Sequence, residues 1–200
     1  MRRKNCKPFY HAVISLDPII RLLFNVRIEG SFPVSEWQGG LIASNHISYL
    51  DPPIVAFCLP IEIYFLAKSD LFKIPGLGWL IRNLNAIPIR RGSIDRAATE
   101  SGKAVLQAGN SLLVFPEGSR KSFTAKPGIG QLAIQTSSRI IPVRIENSNH
   151  PFACMFRLRK MRVIFGNPIE RDIVQQNPDT KDGYRALAEY VLKEINGLGQ

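Results

Sequence analysis

The feature that most constrains this chain is the rhythm of its apolar residues. From Leu41 onward, short apolar runs alternate with stretches of helical character, and no internal repeat or low-complexity tract interrupts them. Such alternation predicts an α/β sheet domain rather than a sandwich or a bundle. The expected strands cover residues 41–44, 61–67, 86–89, 111–115, 140–145 and 161–165. The expected helices start at Asp51 and cover 75–84, 94–108, 129–136 and 184–195. Asp51 precedes Pro52, which fits the first turn of a helix, where its missing N–H costs nothing. The 200 residues suffice for one domain. The expected fold is therefore α/β: a single domain with a central mixed, mostly parallel sheet flanked by helices and preceded by an N-terminal amphipathic helix.

Residues 1–25 have a different character from residues 26–200. Asp17-Pro18 reads as a helix start, followed by Ile19, Ile20, Leu22, Leu23, Phe24 and Val26, while Arg21 and Asn25 share a polar side. Two readings stand side by side. The helix packs on the core, or its apolar side enters a lipid headgroup layer, helped by Arg2, Arg3, Lys4 and Lys7 just upstream. The formal charge of +10 calls for an anionic partner of some kind.

Several classes fall away. Cys6, Cys58 and Cys154 are odd in number and far apart, which argues against a disulfide framework or a cysteine zinc site and for a reducing compartment. No apolar run approaches the ~20 residues a membrane-spanning helix needs. Asp17, Pro18 and Arg21 break the run that a signal peptide would require. A cytoplasmic protein, peripheral on a membrane surface, is the expectation. Gly128-Ile129-Gly130 matches a dinucleotide pattern by its letters, but no hydrophobic strand precedes it. Neither a Walker loop, a G-x-S-x-G elbow nor an H-E-x-x-H motif occurs. The aromatic residues sit within apolar runs, so a nucleic-acid partner is not expected.

Four segments carry chemistry. Asn45-His46-Ile47-Ser48-Tyr49-Leu50-Asp51 joins a strand to a helix. On one continuous helix, residues five apart point about 140° away from each other. In a loop, the chain can fold His46 onto Asp51, and a carboxylate on one imidazole nitrogen makes the other a general base. Without that fold-back, His46 is an ordinary loop histidine and Asp51 an N-cap. Phe115-Pro116-Glu117-Gly118-Ser119-Arg120 ends a strand with a polar tip, where Gly118 lets backbone approach a ligand and Arg120 offers a fork for phosphate. Ile87-Pro88-Ile89-Arg90-Arg91-Gly92 ends another strand in basic residues. Ile140-Ile141-Pro142-Val143-Arg144 is mostly a buried strand. In a parallel sheet, such strand ends share one edge, and ligands bind at that edge.

At these residues the sequence resembles the 1-acylglycerol-3-phosphate acyltransferase family, over roughly residues 28–168. Asn45, His46 and Asp51 match its N-H-x4-D motif, and residues 115–120 match F-P-E-G-[ST]-R at the right distance. Residues 86–91 resemble its second motif, with Asn85 where glycine is usual and Arg90 where an acidic residue is common. Residues 140–144 resemble the fourth motif, and Lys68 stands where a basic residue is frequent. The resemblance implies an O-acyltransferase of phospholipid biosynthesis. It would move a fatty acyl group from acyl-carrier protein or acyl-CoA to the sn-2 hydroxyl of lysophosphatidate, forming phosphatidic acid. His46 and Asp51 would be catalytic, and no metal or other cofactor is called for. Arg91 and Arg120 would hold the acceptor phosphate, with Arg90 and Lys68 as further contacts. Glu117 and Gly118 would shape the acceptor site. Glycerol 3-phosphate or another lysolipid as acceptor, or a non-catalytic basic lipid-binding module, are the alternatives.

Overall fold

The structure is a computed structural model that describes residues 8–90, 96–119 and 124–200. Two short helices, α1 (Pro8–Ile14) and α2 (Asp17–Leu23), precede the sheet. The sheet strands are β1 (Val26–Glu29), β2 (Gly40–Ser44), β3 (Ile63–Lys68), β4 (Ala86–Ile89), β5 (Ser111–Val114), β6 (Ile140–Glu146) and β7 (Met161–Phe165). The intervening helices are α3 (Asp51–Phe57), α4 (Leu77–Asn83), α5 (Arg96–Gln107), α6 (Gly128–Thr136), α7 (Pro151–Met155), α8 (Arg171–Gln175) and α9 (Lys181–Gly197). A 3-10 turn, Ser69–Lys73, follows β3.

The strands lie in the order β1-β7-β6-β2-β5-β3-β4. Strands β6, β2, β5, β3 and β4 are mutually parallel. Strand β7 runs antiparallel to β6, and β1 parallel to β7. The sheet is thus mixed and mostly parallel, as expected. The carboxyl ends of β2 to β6 and the starts of β1 and β7 all emerge at one edge.

Alternation along the strands divides the core into two layers. Leu41, Ala43, Leu112, Val114 and Ile140 face α5, α6 and α9, where Leu106, Leu132, Leu187 and Val191 are buried. Ile42, Leu113, Ile141, Val143 and Ile145 face the other side, with Ile54 and Val55 of α3 and Met161 and Val163 of β7. Every residue of β2 is buried, as a central strand covered on both faces requires. Gly130 explains itself in this packing: a Cβ there would collide with the Tyr184 backbone, so the glycine brings α6 against α9 rather than holding a nucleotide.

The N-terminal helices pack on the core, as the first of the two readings expects, and leave a second set of apolar side chains outside. Tyr10 is buried, and Ile14, Ile20 and Phe24 pack on the core. Leu16, Ile19, Leu22 and Leu23 face outward. Arg21 pairs with Asp17 one turn back. Asn25 does not extend the polar side of α2. It lies beyond the helix at φ 49° and donates its side-chain amide to the Arg159 carbonyl. No helix among the described residues is long and apolar enough to cross a membrane.

Candidate active site

At the end of β2 the chain is locked to its neighbour by a side chain. Asn45 Nδ2 donates to the Ile145 carbonyl (2.9 Å), and the Ile145 N–H donates to Asn45 Oδ1 (2.7 Å). The Asn45 amide thereby continues the β2–β6 pairing by one step and fixes where His46 begins. The His46 ring stacks on Phe115, just past β5, with centroids 4.2 Å apart. Its backbone N–H donates to Glu117 Oε2 (3.0 Å).

The loop folds back as the general-base reading requires. His46 Nδ1 lies 2.8 Å from Asp51 Oδ2. An ionised carboxylate only accepts, so Nδ1 carries the proton and Nε2 is left as the basic nitrogen. The N–H groups of Ile47 and Ser48 donate to the same oxygen, each at 2.7 Å. The other oxygen accepts from the Ser148 hydroxyl. Asp51 is completely buried, and these four hydrogen bonds satisfy it. Asp51 is not an N-cap: Leu50 occupies that position, and the Asp51 carboxylate points back into the loop.

Glu117 is buried beside the dyad, and burial pushes its carboxyl above the ordinary carboxylate range, while the bond from the His46 amide opposes the shift. Its observed work is to hold the His46 backbone. Gly118 adopts φ +67° and its N–H closes a turn onto the Phe115 carbonyl (2.9 Å). Here the glycine permits the left-handed turn that aims Glu117 inward. Lys68 ends β3 and pairs with Asp70 at 2.6 Å. Arg90 directly follows β4 at the same edge. Arg91 and Arg120 lie outside the described residues.

An apolar cavity of about 630 Å³ opens beside the dyad. His46, Tyr49 and Lys68 line its polar end, and Tyr10 of α1, Ile63 of β3 and Ile81 of α4 line its apolar part. It follows β3 from Lys68 to Ile63, about 16 Å at the rise of a strand. At the far end the Tyr10 hydroxyl accepts from the Ile63 N–H. Burial raises the Tyr10 pKa to about 12, so the phenol is neutral there.

Sequence reasoning missed three parts of this site. Ser148 lies two residues beyond β6 at the edge where the other motifs converge, and that position was the available signal. Phe115 is the first letter of its motif, and its ring supports the imidazole. The cover supplied by α1 had no signal, because seven residues give a weak period.

A mixed, mostly parallel sheet thus carries a buried His–Asp pair at its carboxyl edge, beside an apolar cavity. The sequence profile of the Acyltransferase family matches residues 25–146, and the chain belongs to that family. A relative described as 1-acyl-sn-glycerol-3-phosphate acyltransferase from Streptococcus pneumoniae is 30% identical over 164 residues, covering 80% of this chain and 60% of that protein. One of the same description from Borreliella burgdorferi is 31% identical over 131 residues, covering 62% of this chain and 52% of that protein. The chain thus spans between half and three fifths of the length of these two relatives. The crystal structure of the 1-acyl-sn-glycerophosphate (LPA) acyltransferase PlsC from Thermotoga maritima has the same fold. Its TM-score is 0.69 at 23% identity, covering 100% of this chain and 86% of that one.

Proposed function

We propose that this protein transfers a fatty acyl group from a thioester, carried by acyl-carrier protein or coenzyme A, to the sn-2 hydroxyl of 1-acylglycerol 3-phosphate. The product is phosphatidic acid. The observation that carries this reading is the His46–Asp51 pair at the polar end of an apolar cavity deep enough for an alkyl chain.

The acceptor hydroxyl hydrogen-bonds to His46 Nε2 and attacks the thioester carbonyl, and Nε2 takes its proton as the C–O bond forms. Asp51 stabilises the resulting imidazolium. The tetrahedral intermediate collapses with cleavage of the C–S bond, and the imidazolium returns the proton to the departing thiolate. The step balances without a metal, a redox group or an acyl-enzyme. Arg91 and Arg120 hold the acceptor phosphate in this reading, with Arg90 and Lys68 beside them. A phosphate near Lys68 competes with Asp70 for its ammonium. Gly118 shapes the acceptor end, and Glu117 keeps His46 in register. The lysolipid reaches the site from a membrane surface, which the outward residues of α2 contact; Arg2, Arg3, Lys4 and Lys7 lie outside the described residues.

The test is thiol release and lipid product with a panel of lysophosphatidate, glycerol 3-phosphate and a phosphate-free lysolipid. Lysophosphatidate should be the best acceptor. His46→Ala should lose about 10²–10⁴ of the rate, the usual contribution of a general base, with its melting transition preserved. Near-wild-type transfer by His46→Ala overturns the mechanism, and a better rate on another acceptor reassigns the substrate.

A further inference from the structure

The exposed large apolar side chains of this protein are not scattered. Among the described residues, all but Val34 and Tyr190 sit on segments that leave or enter the sheet at its catalytic edge. One group lies on α2 and the turn before it, a second (Tyr49, Ile74, Leu77 and Trp79) on the connections that leave β2 and β3, and a third on the connection from β6 to β7, where Phe152, Phe156 and Leu158 are 72%, 73% and 79% exposed. Monomeric proteins rarely cluster such residues on a surface without a partner.

This connection is held firmly. Cys154 of α7 is completely buried beneath it. Arg157 turns the chain at φ 62°, and the N–H groups of Leu158 and Arg159 both donate to the Ala153 carbonyl. The apolar side chains therefore project from a backbone whose hydrogen bonds are made. Basic residues alternate with them in Phe156-Arg157-Leu158-Arg159-Lys160. None of these three cations enters an ion pair among the described residues. Arg157 and Arg159 are oriented by neutral partners, Asn25 Oδ1 and Asn147 Oδ1. Asn25 links this connection to the end of α2, donating to the Arg159 carbonyl and accepting from Arg157, and Arg157 shares a surface pocket with Leu22. Three residues before α7 begins, Ser148 is bonded to Asp51.

We propose that residues 151–160 form a second membrane-entering element, with Phe152, Phe156 and Leu158 in the interfacial layer of an anionic bilayer and Arg157, Arg159 and Lys160 on headgroup phosphates. Apolar side chains interleaved with cations suit that layer, which offers hydrocarbon and negative charge within one side-chain length. The inference rests on the acyltransferase reading only for its purpose: it sets the catalytic edge against the surface where the acceptor resides.

The test labels Leu158→Cys with nitrobenzoxadiazole in a Cys6→Ser background, Cys58 and Cys154 being buried. A second label at Glu189→Cys on α9 is the reference. Vesicles of phosphatidylglycerol should brighten the residue-158 label, and nitroxide lipid should quench it, while the residue-189 label stays unchanged. Flotation with the same vesicles measures partitioning. Phe152→Ser/Phe156→Ser/Leu158→Ser should weaken it about tenfold or more. Arg157→Gln/Arg159→Gln/Lys160→Gln should weaken it on the order of a hundredfold at low salt, about fivefold per charge. Both triple variants should keep the wild-type melting transition and wild-type turnover of a short-chain, monomeric lysophosphatidate. An unresponsive residue-158 label, or unchanged flotation of both variants, overturns the proposal. Brightening by acyl-carrier protein but not by vesicles overturns it in favour of a protein-docking face. Vesicle insertion by a protein that acylates no acceptor supports this surface and overturns the acyltransferase reading instead.

Discussion

Asp51 carries two kinds of demand, and a single substitution separates them. Its Oδ2 serves three N–H donors, so an oxygen must remain at that position. Its Oδ1 meets a hydroxyl, which can donate or accept. Asp51→Asn therefore fits: the amide oxygen keeps the three donors, and the amide nitrogen donates to Ser148 Oγ. What disappears is the charge that, in the proposed mechanism, stabilises the imidazolium. The variant should fold with a melting temperature close to wild type and lose about 10²–10⁴ in kcat, which parallel thermal melts and steady-state kinetics will show. Ser148→Ala is the complement. It leaves a buried carboxylate oxygen without its donor, and hydrogen bonds to charged groups are worth about 1.5–3 kcal/mol. Its expected signature is a lower melting temperature together with a kcat reduced by roughly an order of magnitude, both recovered by Ser148→Thr where the added methyl is accommodated.

Between α4 and β4 sits Asn85, with φ 63° and a side chain that donates to Glu62 Oε1 at 2.7 Å. The left-handed conformation explains why the resembling family has glycine there and why asparagine is a workable substitute. Asn85→Ala should cost about 1–3 kcal/mol, from the left-handed backbone and the lost hydrogen bond. Asn85→Gly should cost less, and denaturant midpoints rank the two. At the opposite side of the sheet, Arg162 of β7 grips both oxygens of Glu29 on β1 and reaches Glu146 on β6. The hydrogen bond from Arg162 holds the Glu29 carboxyl below the ordinary range. A depressed carboxyl contributes stability above its ordinary pKa, and the contribution fades as pH falls through the folded value. The melting-temperature gap between wild type and Arg162→Met should be widest near pH 7 and close below about pH 4. These elements also mark how far the sequence could be read. The 86–89 and 161–165 strands were legible to the residue, because each apolar run is bounded by polar or turn residues. Strand β1 was not, because an edge strand of four residues reading Val-Arg-Ile-Glu is half exposed and merges with the helix before it. The 151–155 helix was not legible either, since five residues are too few to show an amphipathic period.

For the molecule as a whole, the proposed mechanism makes no use of Cys58 or Cys154, the two cysteines among the described residues. Burial pushes Cys58 up to about 12 and raises Cys154 as well, and a protonated, enclosed thiol is a poor nucleophile. Cys58→Ala and Cys154→Ala should each retain wild-type turnover of folded enzyme, with a stability loss from the cavity left in the core. Iodoacetamide at pH 8 should leave both unmodified until the protein is unfolded, and peptide mass spectrometry reads this directly. The candidate dyad was legible because its letters and spacing survive in one dimension. Its support by Ser148 and Phe115 was not, because those contacts join loops that only the sheet brings together.

The pairing of Val26 with Met161 places the first strand of the chain against the last. During synthesis, β1 and the two helices before it leave the ribosome long before the strand that will receive them exists. Closing so long a loop is slow. Until it closes, the edge of β1 that β7 covers stands unpaired. This segment is thus at its most adhesive early, and this last-docked edge should exchange its amide hydrogens first in the finished protein.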